Sequence, residues 1–136
     1  MTDADLAHAA RALIGVPFRL HGRDPETGLD CIGVLQAALA ACGLPADLPN
    51  GYTLRSRGIP DMAGIAVRLG LRETEAPIRA GVVVMLRPGP LQHHLAIATT
   101  AGRFVHAHAG LRRVVEGPID PDWAVVRRWH LRPRKN

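Results

Sequence analysis

Residues 94–108 read HLAIATTAGRFVHAH. Two short runs carrying β-branched and aromatic residues flank a turn-forming centre, so the stretch is predicted to be a β-hairpin. Successive side chains alternate, sending His94, Ala96 and Ala98 to one face and Leu95 and Ile97 to the other. Placing His94 opposite His106 pairs Ala96 with Phe104 and Ala98 with Gly102. That register needs an odd-numbered loop centred on Thr100, with Gly102 available for the positive φ of a bulge. The two imidazoles are then cross-strand neighbours with Cβ atoms about 5 Å apart. A two-residue turn at 100 and 101 would send them to opposite faces, so loop parity decides whether they meet.

The same texture extends through the C-terminal half. VVVMLR (82–87), HLAIAT (94–99), RFVHAH (103–108), RRVVEG (112–117) and AVVRRWHL (124–131) are predicted to form five antiparallel strands. The N-terminal half reads as helix. Thr2 and Asp5 form a capping box that opens a helix to about Ile14, stopped by Gly15 and Pro17. Residues 18–30 are loop, and an apolar run from Cys31 to Cys42, ended by Gly43 and Pro45, is apolar on nearly every side and therefore a buried helix. A Pro- and Gly-marked stretch to about Ile59, a candidate lid over 44–59, precedes a short helix from Pro60. Helices first and strands later predict an α+β fold in one domain, 1–136, with 130–136 a frayed basic tail.

The totals fit one globular domain: 136 residues, 47% hydrophobic and 21% charged. The net charge of +5 favours anionic partners, although nearly every basic residue is Arg and Lys135 is the only lysine. Neither a helix-turn-helix nor an aromatic platform accompanies that charge, so no specific nucleic-acid partner is expected. Cys31 and Cys42 lie about 16 Å apart along one helix, beyond the roughly 7 Å a disulfide spans. The N-terminus carries acids where a signal peptide carries positive charge, and no uncharged stretch reaches the ~18 residues of a membrane span. The expectation is a chain made in the cytoplasm, without a membrane span.

A thiol at the first turn of a helix is suited to nucleophilic chemistry. The helix start and a neighbouring imidazolium can lower a cysteine's pKa, and the first-turn N–H groups can hold an oxyanion. If the Cys31 helix lies on the small-residue face of Ala96 and Ala98, the thiol meets His94, and His106 holds the His94 ring in orientation. Asp30 is the helix cap. His93 is the rival to His94 and is expected on the opposite, exposed side; His108 shares the face of His106. Two other readings stay open: a zinc site built from His94, His106, His108 and Cys31, and a non-catalytic module.

The order and wording of these motifs resemble the NlpC/p60 cell-wall peptidases, a papain-like family. LIGVPFRLHG (13–22), DCIG (30–33), AGVVVML (80–86), HLAIA (94–98) and FVHA (104–107) stand where that family has L-G-x-P-Y-x-x-G-G, D-C-S-G, G-D-hydrophobic, H-V-G-I-Y and F-hydrophobic-H-A. The size and the FVHAHAGLRRV stretch are most similar to phage-tail and gene-transfer-agent members. The resemblance implies a papain-like α+β fold and hydrolysis of an amide in the peptidoglycan stem peptide, typically the D-γ-glutamyl to diamino-acid bond, without a cofactor or metal. It implies Cys31 as nucleophile, His94 as general base and then acid, and His106 as third polar residue. It is compatible with phage-like tail proteins as partners, and leaves open delivery to the wall by a phage-like tail, by lysis or by another partner. Phe18, His21 and Asp30 would contact substrate. Phe18 replaces a Tyr, Ile32 a Ser and His21 a Gly of the family pattern.

Overall fold

In a computed structural model, residues 2–44, 66, 67, 69–90 and 92–131 are described. Among these residues the helices α1 (Asp3–Arg11) and α2 (Cys31–Ala41) precede every strand of the main sheet. A two-stranded ribbon, β1 (Arg23–Asp24) and β2 (Gly28–Leu29), leads into α2. The main sheet holds β3 (Leu71–Glu73), β4 (Val83–Gly89), β5 (Gln92–Ala98), β6 (Phe104–His108), β7 (Arg113–Gly117) and β8 (Ala124–Leu131). Its strands are antiparallel in the order β3-β8-β4-β5-β6-β7. The fold is α+β, with the five expected strands and a sixth, β3, too short to stand out in the sequence. His130 and Leu131 pair with Arg72 and Leu71, so the sheet runs two residues into the expected tail. The candidate lid over 44–59 and the helix from Pro60 lie outside the described residues, except Leu44 and the helical pair Ala66 and Val67. No helix among the described residues is long and apolar enough to cross a membrane.

Local chemistry explains the helix starts. Thr2 accepts the Asp5 N–H at Oγ1, and the Asp5 carboxylate accepts the Thr2 N–H, completing the expected capping box. Asp30 caps α2 by accepting the Gly33 N–H at 2.8 Å. Both cysteines are free.

The sheet is buried on both faces, and this corrects one expectation. α1 and α2 pack through Leu6, Ala10, Leu35, Ala38 and Leu39 onto Val83, Met85, Leu95, Ile97, Val105 and Ala107. The helices therefore cover the Leu95/Ile97 face and not the Ala96/Ala98 face. Leu, Ile and Val offer more apolar area than two alanines, and burial follows area. Ala96 and Ala98 instead lie in a second cluster with Val82, Val84, Leu86 and Phe104, against which Ile78, Ile119 and Trp123 pack.

The hairpin register is also corrected. Ile97 pairs with Val105 and Ala98 with Phe104, two residues away from the expected alignment. The Thr99 N–H donates to the Arg103 carbonyl, and the Thr100 hydroxyl accepts from the Gly102 and Arg103 amides. The loop is thus residues 100–102, still odd-numbered. A shift of two preserves every facing, so His94 and His106 remain on one side of the sheet.

Candidate active site

The β5–β6 ladder ends at Ile97↔Val105, although both strands continue. Beyond that point β5 stays paired to β4 through Leu86↔His94, and β6 to β7 through His108↔Arg113. The seam between them opens at the end that carries the histidines, and the start of α2 is seated there. The result is a cleft of about 590 Å³ lined by residues from both sheet faces, including Cys31, His94 and His106.

His94 and His106 are diagonal partners across the open seam, not directly paired residues. Nε2 of His94 lies 2.9 Å from Nδ1 of His106, with the rings edge-on at 5.0 Å between centroids. This hydrogen bond leaves Nδ1 of His94 outside the pair. His106 is buried and His94 half-buried. Burial pushes His94 down to about 3, aided by the charges of His106 and His108. Burial likewise pushes His106 down to about 4, with His108 contributing.

Cys31 is the half-buried first residue of α2. Burial pushes its thiol up to about 11, and the Asp30 carboxylate adds to the rise; the Leu95 and Ile32 amides and Arg23 act the other way. The Leu95 amide is available because of the open seam. Ala98 exchanges main-chain bonds with β4 and its flank, and Thr99 bonds toward β6, so alternation points the Leu95 N–H at the vacated β6 side. The expectation of a thiol drawn below its ordinary range therefore fails. His94 is held neutral, so no imidazolium in the cleft offsets the burial, while the helix cap is itself an anion.

Asp30 is fully engaged within the protein. Oδ1 accepts from Gly33 N–H and from Nη1 of Arg23 at 2.7 Å, and Oδ2 accepts from the His21 N–H at 3.1 Å. The Arg23–Asp30 pair is largely withdrawn from solvent. It anchors the loop that precedes Cys31, a role not evident for Arg23 in the sequence. Phe18, half-buried, and His21, exposed, both line the cleft, as does buried Ile32. His93 is half-buried and lines the cleft, contrary to its expected exposure, because the splayed strands let both β5 facings reach it. His108 lines it as well, 5.8 Å from His106, and its Nδ1 accepts the Leu111 N–H. Trp123, absent from the sequence reading, stands edge-on to His94 at 5.8 Å. Only the turn after β7 brings it there, and no local pattern announces that. Among the described residues, no group of three or more His, Cys, Asp or Glu side chains is arranged to hold a metal ion.

The two depressed histidines make a prediction about stability. The unfolded chain takes up protons near pH 6.5 at both residues, and the folded protein does not until far lower. The unfolded state therefore binds more protons between those values, and stability present above pH 6.5 is lost as pH falls. For buried His106 alone the loss is on the order of 3 kcal/mol by about pH 4. Urea midpoints taken from about pH 7 to about pH 4.5 should fall steadily, and His106→Asn should flatten the slope. Asp5 and Glu116, whose carboxyls hydrogen bonds hold below 3.8 and 4.5, lose their contribution only at lower pH.

No protein-family model matches the chain. No curated protein matches it either. Solved structures do. NlpC1 from Trichomonas vaginalis aligns over 94% of this chain with a TM-score of 0.70 at 19% identity. The NlpC/p60 domain of peptidoglycan hydrolase SagA aligns over 92% of this chain and 98% of its own, with a TM-score of 0.60 at 26% identity. The p60 domain of the M. avium subspecies paratuberculosis antigen MAP1204 aligns over 96% of this chain and 93% of its own, with a TM-score of 0.58 at 18% identity. The chain spans 45% and 48% of the two Trichomonas NlpC structures it matches. With helices packed on a six-stranded antiparallel sheet and these structural neighbours, the chain has the fold of NlpC/p60 domains.

Proposed function

We propose that this protein is a thiol peptidase that hydrolyses an amide of the peptidoglycan stem peptide. The observation that carries the proposal is one cleft holding a half-buried thiol at a helix start and a hydrogen-bonded pair of imidazoles. Cys31 attacks the peptide carbonyl. His94 takes the thiol proton at Nδ1, so its Nε2 carries a hydrogen that Nδ1 of His106 accepts. His106 thereby sets the tautomer of the base. His94 then passes the proton to the departing amine, and water activated by the same ring hydrolyses the thioester.

The likeness to the SagA domain supports the wall polymer as substrate. The D-γ-glutamyl to diamino-acid bond is the proposed scissile amide, and the FVHAHAGLRRV stretch supports delivery by a phage-like or gene-transfer-agent particle. Mass spectrometry of defined muropeptides after digestion tests the reading. A new amine on the diamino acid is the expected product, and pretreatment with iodoacetamide should prevent it. Intact muropeptides after prolonged digestion, or cleavage indifferent to alkylation, would overturn the proposal.

A further inference from the structure

Five of the seven histidines line the cleft: His94 and His106, and in addition His21, His93 and His108. Among the described residues, no lysine, arginine or glutamate lines it. The one acid among them, Asp30, already accepts from Arg23, Gly33 and the His21 amide. The remaining walls include Phe18, Leu20, Ile32 and Trp123. These walls therefore offer hydrogen-bond donors, and the negative charge of Asp30 is compensated internally.

His21 is the most informative of the three. Its φ is 61°, in the left-handed region where a side chain is disfavoured and glycine is at ease. The hydrogen bond from its N–H to Asp30 holds that conformation. Glycine would satisfy the backbone without strain, and the exposed ring contributes little to the core. Strain retained at a cleft wall points to a use for the side chain there. The His108 ring is also held in place: accepting the Leu111 N–H at Nδ1 leaves Nε2 as its proton-bearing nitrogen.

We propose that His21, with His93 and His108, recognises a carboxylate of the bound peptide, so that the cleft selects substrates whose acid groups are free over those whose acid groups are amidated. The proposal rests on the reading that a stem peptide occupies the cleft. Near neutral pH burial keeps His94, His106 and the Cys31 thiol uncharged, and Asp30 remains opposite Arg23.

Calorimetric binding to the Cys31→Ala protein tests this without requiring turnover. The probes are synthetic L-alanyl-γ-D-glutamyl-diaminopimelate and the same peptide with its carboxyls amidated. The free acid should bind about tenfold more tightly than the amide. A further His21→Gly change should remove most of that gap while the thermal midpoint holds or rises. His21→Lys should keep the gap. Equal binding of the two peptides, absence of binding by either, or a gap untouched by His21→Gly overturns the proposal. Digestion of muropeptides by the unsubstituted enzyme is the separate test of the hydrolase reading. Cleavage without acid preference fails only the present inference, and acid-selective binding without cleavage fails only the other.

Discussion

Replacing Cys31 with alanine is expected to lower turnover of a peptidoglycan substrate by about 10⁴-fold or more while leaving the fold intact. The side chain is half-buried and contributes a single sulfur to the edge of the core, so its loss leaves α2, its Asp30 cap and the His94–His106 bond in place. In the proposed mechanism no thioester forms without the sulfur, and His94 has no proton to accept. His94→Ala should cost a similar factor, because a thiol with a pKa of about 11 is almost wholly protonated near neutrality and depends on its base. The double substitution should then be no worse than the more severe single one, as for groups that act as one unit. Steady-state rates on a defined muropeptide, with circular dichroism as the control for folding, supply the measurement. A Cys31→Ala protein that cuts at an undiminished rate, or losses that simply multiply in the double variant, would refute the partnership.

Much of this arrangement is legible in the sequence because it rests on local, periodic features. The helix caps, the apolar run after Cys31 and the β-branched strands each follow from residues within one turn or one strand. The facing of His94 and His106 is legible through parity alone, and it survives a register error of two. What sets the actual register, the Thr100 hydroxyl accepting two main-chain amides, is a contest between loops of equal parity that spacing does not decide. The smallness of Ala96 and Ala98 points to the wrong side for α2, because the larger apolar residues opposite attract the helices. The open β5–β6 seam is not legible, since strand pairing says where ladders form and not where they stop. Its opening brings His93 into the cleft and frees the Leu95 amide toward Cys31. The state of the thiol escapes a sequence reading for a related reason: desolvation where the start of α2 meets the sheet outweighs the effect of a helix start.

The glycine two positions after Cys31 leads to the other large effect, which runs against helix propensity. Gly33 lies in the first turn of α2, where alanine would ordinarily stabilise a helix by about 1 kcal/mol. A Cβ at this position would overlap the carbonyl oxygen of Gly22 and press on Leu29 Cδ2 at 3.1 Å. The obstacle is main chain, and it has little room to yield. The Gly22 carbonyl accepts the Asp30 N–H and a hydrogen bond from Nη1 of Arg23, while a Cβ on Gly22 would itself overlap the Gly28 carbonyl. Accommodating Gly33→Ala means sliding the start of α2 away from the β1–β2 ribbon. That motion would loosen the Gly33 N–H bond to Asp30 and carry Cys31 away from the imidazole pair. The expected result is a destabilisation of about 3 kcal/mol or more, read from the denaturant midpoint, together with loss of activity in whatever fraction stays folded. Farther along the same helix the chain already carries alanine, at Ala37 and Ala38, so the penalty belongs to the contact and not to the helix. A Gly33→Ala protein as stable as its parent would mean that α2 can move off the ribbon freely, and the placement of Cys31 at the open seam would lose its structural basis.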